Sequence, residues 1–119
     1  MHRFKKLEIW QMSRIFCTEI YTVTSAFPDS EKFGLASQLR RASVSIPSNI
    51  AEGSSRNSNR DFGRFVEIAI GSAYEIETQL LISTDLYFLT EEKQINLNQK
   101  LDSIIKMMYH FKNSLNQIT

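Results

Sequence analysis

The sequence predicts an all-α fold, an antiparallel up-down-up-down four-helix bundle, and three observations lead there. Four glycines and two prolines in 119 residues are too few for the turns of an all-β chain. Apolar residues recur at steps of three and four through four long stretches, the spacing of helices that bury one face. Short polar connections with capping residues separate these stretches, so consecutive helices lie side by side. A chain of 119 residues fits one domain, here residues 1–119. A three-helix bundle with a broken second helix is the alternative.

The first helix is predicted from about Phe4 to Ala26, with Ile9, Met12, Phe16, Ile20, Val23 and Phe27 along one stripe. Leu7, Trp10, Cys17, Tyr21 and Thr24 run beside it and widen the apolar face beyond the ~100° a surface helix buries. Phe27-Pro28 ends the helix, because the residue before proline is pushed out of the helical region.

The second helix is expected to start at Asp29 or Ser30 and to bury Leu35, Leu39, Ala42, Ile46 and Ile50. Pro47 lies within it, lacking the N–H that would reach the carbonyl of Ser43, so the sequence predicts a helix kinked at Pro47. Two short helices with Ser45 capping the second are the competing arrangement. Gly53 is expected to supply a left-handed residue at the end.

Ser58-Asn-Arg-Asp61 reads as a capping-box variant that opens the third helix. Phe62, Val66, Ala69, Ala73, Ile76, Leu80 and Tyr87 follow a near-heptad seam. Further apolar residues, Ile68, Ile70, Tyr74, Leu81, Ile82, Leu86 and Phe88, occupy other sides of the same helix. A helix apolar on several sides is buried on several sides, and in a short chain this predicts an oligomer. Thr90 caps the last helix, Glu91 and Glu92 oppose its dipole, and Leu97, Leu101, Ile104, Met108, Phe111, Leu115 and Ile118 form its packed face.

Composition excludes most catalytic chemistry. His2 and His110 are the only histidines and no glutamate precedes His110 by three residues, so neither a carboxylate-bridged di-iron centre nor a zinc site is expected. Ser103-x-x-Lys106 falls on the polar side of the last helix with no oxyanion donors implied. The Gly53-Ser-Ser-Arg56 turn has neither Walker nor Rossmann spacing. Cys17 stands alone and reads as a small buried hydrophobe. No catalytic residue, metal or cofactor is expected. With no apolar run of ~18 residues and no secretory leader, the expected location is the cytoplasm, with no membrane partner.

Charge is the functional clue. The net charge is +1, yet Arg40, Arg41, Arg56, Arg60 and Arg64 fall between Gln38 and Arg64 beside only Glu52 and Asp61. With Lys5 and Lys6, the arginines 40, 56, 60 and 64 are the candidate contacts to phosphates. Gln38, Arg41, Ser45, Asn49, Glu52 and Glu77 are the candidate members of a polar seam between helices or subunits. One of Glu67, Glu75 and Glu77 is expected to meet Arg41, and Glu52 to pair with Arg56 four residues on.

The run from Gln38 to Gly53, Gln-Leu-Arg-Arg-Ala-Ser-Val-Ser-Ile-Pro-Ser-Asn-Ile-Ala-Glu-Gly, resembles the signature of the bacterial four-helix-bundle family encoded by intervening sequences in large-subunit ribosomal RNA genes. Leu7, Trp10, Phe27-Pro28, Glu31, Gly34-Leu35, Arg56 to Phe65, Gly71-Ser72, Glu75 and Glu77 agree with it. The resemblance covers nearly the whole chain. It implies a non-enzymatic antiparallel bundle, commonly assembled as a homopentamer. That family is in turn similar to the accessory variability protein of diversity-generating retroelements, a basic pentameric barrel that binds nucleic acid and its partner reverse transcriptase. Two functions follow as expectations: a weak RNA- or DNA-binding accessory oligomer, or an oligomeric scaffold for a protein partner without nucleic acid.

Overall fold

In a computed structural model, which describes the backbone of residues 3–118 and the side chains of residues 3–116, four helices pack side by side in a body 47 × 23 × 20 Å. They are α1 (Glu8–Thr24), α2 (Leu35–Ser54), α3 (Asn59–Asp85) and α4 (Glu91–Ile118). His2 and the side chain of Ile118 lie outside the described residues. No strand occurs among them.

The core follows the predicted stripes. Ile9, Phe16 and Ile20 of α1, Leu39, Ile46 and Ile50 of α2, Val66, Ala73 and Leu80 of α3, and Leu101, Ile104 and Met108 of α4 are buried together. Each helix packs on its chain neighbours, and α1 and α4 close the cycle. Along α1 and α2, Cys17 meets Ser43 and Thr24 meets Arg40; along α2 and α3, Gln38 meets Gln79 and Ser45 meets Ser72. Rising numbers on one helix thus meet falling numbers on the next. Phe27 and Phe88 pack as tilted rings 5.8 Å apart at one end of the body, and Phe62 meets Phe111 edge-on at 5.2 Å toward the other.

The N-caps predicted for α3 and α4 form. The Ser58 hydroxyl accepts from the Asp61 N–H at 3.1 Å, and the Thr90 hydroxyl accepts from the Lys93 N–H at 3.2 Å. The α1 boundaries differ from expectation: Phe4–Lys6 is a separate 3-10 turn, and α1 begins at Glu8 and ends at Thr24. The start of α2 differs more. Asp29–Glu31 is a single 3-10 turn, and the helix starts only at Leu35, whose N–H is taken by the Glu31 carboxylate at 3.0 Å. A carboxylate four residues upstream thus does the work expected of Asp29 or Ser30.

The helix α2 is continuous from Leu35 to Ser54 with Pro47 buried inside it, so the two-helix alternative capped by Ser45 is not adopted. Gly53 does not end it in a left-handed conformation, because no glycine among the described residues has positive φ. Its hydrogen side chain is needed for packing: a Cβ there would stand 2.7 Å from Cβ of Phe65 and 2.8 Å from the ring of Phe62. The left-handed residue is instead Tyr87, at φ 64, just past the end of α3. Tyr87 itself is 94% exposed and lies outside the core seam predicted for it.

Candidate nucleic-acid interface

The start of α1, the end of α2, the start of α3 and the end of α4 share one end of the body, and cations collect there. The Phe4–Lys6 turn is held by the Gln11 amide, which donates to the Lys5 carbonyl at 2.8 Å, and by Phe4 packing edge-on to Trp10 at 5.2 Å. Arg3, Lys5 and Lys6 then border a cleft of about 460 Å³ with Ala51, Ser54 and Ser55 from the end of α2. Arg56 follows Ser55 directly. Its guanidinium lies 4.6 Å from the ring centroid of Phe65 and 3.2 Å from the Glu52 carboxylate, an exposed pair of i, i+4 spacing.

In the first and second turns of α3, Arg60 and Arg64 are exposed; Arg64 reaches only to 3.9 Å of Asp61, and Arg60 has no acidic partner among the described residues. Lys5, Lys6, Arg56, Arg60 and Arg64 therefore share one end. Arg3, not singled out in the sequence, joins them. At the far end Asp29, Glu31, Asp85, Glu91 and Glu92 outnumber Lys32 and Lys93. The body is polarised along its length although its net charge is near zero, which is the condition for one end to attract a polyanion.

Arg40 does not belong to this group. Its Nε donates to the Thr24 hydroxyl at 2.9 Å, a terminal nitrogen points at the Tyr21 carbonyl at 3.4 Å, and the guanidinium lies 4.7 Å from the Tyr21 ring centroid. The arginine ties α2 to α1 toward the acidic half. Arg40→Ala should therefore cost about 1–2 kcal/mol in a denaturant melt while leaving any nucleic-acid affinity unchanged. Lysine should not restore it, since a point charge replaces a planar fork.

The polar seam is real between α2 and α3 but only part of it pairs. Ser72 donates to Ser45 at 2.9 Å, and Gln79 donates to Gln38 at 3.3 Å. Asn49 stays local, donating to the carbonyl and hydroxyl of Ser45 at 2.8 and 2.9 Å. Glu52 turns to Arg56, and Glu77 is half-buried with no ion pair among the described residues. Arg41 meets none of the three glutamates: it is exposed and shares a cleft of about 460 Å³ with Gln38, Ser45, Ser72 and Glu75 without a salt bridge. Glu67 is taken instead by Lys112 of α4 at 2.7 Å, and the hydrogen bond and charge of that lysine hold the Glu67 carboxyl below its ordinary range. Ser72 and Gln79, seven residues apart, are seam members that sequence reasoning missed; that spacing was the available signal.

No group of three or more metal-ligating side chains occurs among the described residues, and no described helix is long and apolar enough to cross a membrane. Ser103, Lys106 and His110 are all exposed on α4. Cys17 is half-buried and accepts from the Ser43 hydroxyl at 3.4 Å.

No curated protein matches the chain. A crystal structure of a protein of unknown function from the S23 ribosomal protein family of Bacteroides thetaiotaomicron is similar in fold, with a TM-score of 0.82 at 24% identity over 88% of this chain and 95% of that one. Residues 5–110 match the 23S rRNA-intervening sequence protein family, so that the match takes in all of α1, α2 and α3 and most of α4. The chain belongs to the 23S rRNA-intervening sequence protein family.

Proposed function

We propose that this protein is a non-enzymatic, single-domain cytoplasmic accessory protein that works as a homo-oligomer, a pentamer by family resemblance, and binds RNA or DNA weakly through its basic end. The observation that carries this reading is the gathering of Arg3, Lys5, Lys6, Arg56, Arg60 and Arg64 at one end, with Arg60 free of any acidic partner among the described residues. Phosphate contacts by flexible exposed cations give affinity without base readout, so the binding is expected to be salt-sensitive and tolerant of sequence. Repeating the basic end around an oligomer multiplies the contacts each nucleic acid makes.

The test is sedimentation of nuclease-treated protein with a labelled structured RNA, at low and moderate salt. The RNA should travel with the protein at low salt and leave it at moderate salt. RNA that never travels with the protein overturns the reading. The exposed apolar side chains Ile68, Leu81, Ile82 and Leu86 on α3 favour the second reading, a scaffold for a protein partner. Salt-insensitive binding of a protein by material that ignores RNA would favour it.

A further inference from the structure

Two surfaces on opposite sides of the body serve neither its core nor its basic end. The helices α1 and α4 approach one another least of the neighbouring pairs. Between them lie three successive cavities of about 560, 260 and 450 Å³, running from Leu7, just before α1, to Ala26, just after it, and from Ser114 to Glu92 on α4. At 1.5 Å per residue this groove is ~33 Å long. Met12, Ile15 and Met107 line it, and Ile15 is 60% exposed. Its walls differ in charge: α1 contributes Glu8 and Glu19, and α4 contributes Lys93, Lys100 and Lys106 against Glu92. Lys100 bridges to Glu19 at 2.8 Å, but the second carboxylate oxygen of Glu19 is shielded from solvent without a donor.

The opposite side of the body is the α2–α3 side, because α1 touches α2 and α4 but not α3. There Ile68, Glu75 and Ile82 fall one heptad apart on the outside of α3, followed by Leu86. The three apolar members are 52%, 41% and 51% exposed in chain order. This ridge spans ~27 Å of helix, within the length of the groove. Gly71 stands beside it in mid-helix, and a Cβ there would meet nothing within 4 Å. A poor helix former that the protomer's own packing does not require leaves room for another backbone to come close. Glu75 and Asp85 lie along the ridge, and the unpaired Arg41 flanks it on α2.

We propose that a second copy of this chain lays the α3 ridge of Ile68, Ile82 and Leu86 in the α1–α4 groove. Glu75 and Asp85 then meet the lysines of α4, and Arg41 meets the acidic wall of α1. Because groove and ridge sit on opposite sides of one molecule, the contact is heterologous. Copies add head to tail and close into a ring when the rotation per copy divides a full turn. This rests on the oligomeric part of the function proposed above and names the faces that carry it.

The test uses sedimentation equilibrium of the full chain and of two variants, Ile15→Glu in the groove and Ile82→Glu on the ridge. Both positions are surface-exposed, and far-UV circular dichroism checks that each variant is folded; Ile15→Ser and Ile82→Ser serve where glutamate unfolds the protomer. The wild type should be oligomeric, each variant alone should weaken self-association by about a hundredfold or more, and a 1:1 mixture should form a dimer through the one intact groove and the one intact ridge. A monomeric wild type overturns this interface and the oligomeric reading together. An oligomer that survives either substitution, or a mixture that stays monomeric, overturns the interface alone.

Discussion

Phe62→Ala should destabilise the protein by about 3–5 kcal/mol, the range for removing a large aromatic ring from a packed interior. Phe62 is 2% exposed, and its ring lies against the α carbon side of Gly53 on α2 and edge-on to Phe111 of α4. It thus joins three helices at the end that carries the cations. Removing it leaves a cavity that Gly53 cannot fill, since glycine has no side chain to move into the space. Chemical denaturation should show a lowered midpoint with little change in slope. Against a typical total of 5–15 kcal/mol, a loss of this size leaves a marginal fold. A loss under about 1 kcal/mol would mean that Phe62 is not the anchor that its burial indicates.

Replacing Lys5, Lys6, Arg56, Arg60 and Arg64 together by alanine should abolish nucleic-acid binding while leaving the helical content unchanged. These side chains are on the surface, and the one ion pair of good geometry among them, Arg56 with Glu52, is exposed at both members and contributes about 0.3–0.5 kcal/mol. The cost to stability is therefore small. The cost to affinity is large, because each neutralised phosphate contact contributes to counterion release and the contacts act together. The same experiment on Arg40→Ala separates the two kinds of arginine: affinity stays and stability falls. Nucleic-acid binding retained by the fivefold variant would remove the basic end from the account.

The parts of this fold that were legible in the sequence are those set by local chemistry. Ser58 and Thr90 cap their helices through bonds spanning three residues, and the apolar stripe of α4 needs only its own spacing to be read. The Glu52–Arg56 pair is local in the same way. What was not legible depends on distant residues. Gly53 reads as a helix terminator until Phe62 and Phe65 are brought against it, and its smallness then proves to serve close packing rather than backbone conformation. Arg40 reads as a free cation because Thr24 and Tyr21, its partners, belong to another helix. Arg41 was expected to find a glutamate, but Lys112 of α4 takes Glu67, and Glu75 borders the same cleft as Arg41 without a salt bridge to it. The seam fared better, because Gln38 and Ser45 do find α3, through Gln79 and Ser72. The candidate phosphate contacts other than Arg40 came together at one end for a reason of topology. Helices that alternate in direction bring the chain start and the α2–α3 connection to the same place, although some 50 residues separate Lys5 from Arg56.

The central claim is that the basic end binds phosphates, and the salt dependence of affinity tests it most directly. Binding of a short DNA duplex should be titrated by fluorescence anisotropy at several salt concentrations, with the wild type and the fivefold variant side by side. Contact of about five phosphates by the wild type predicts a plot of log affinity against log salt with a slope of about −4.5, with no measurable binding by the variant. A wild-type slope near zero, or equal slopes for the two proteins, would contradict the account.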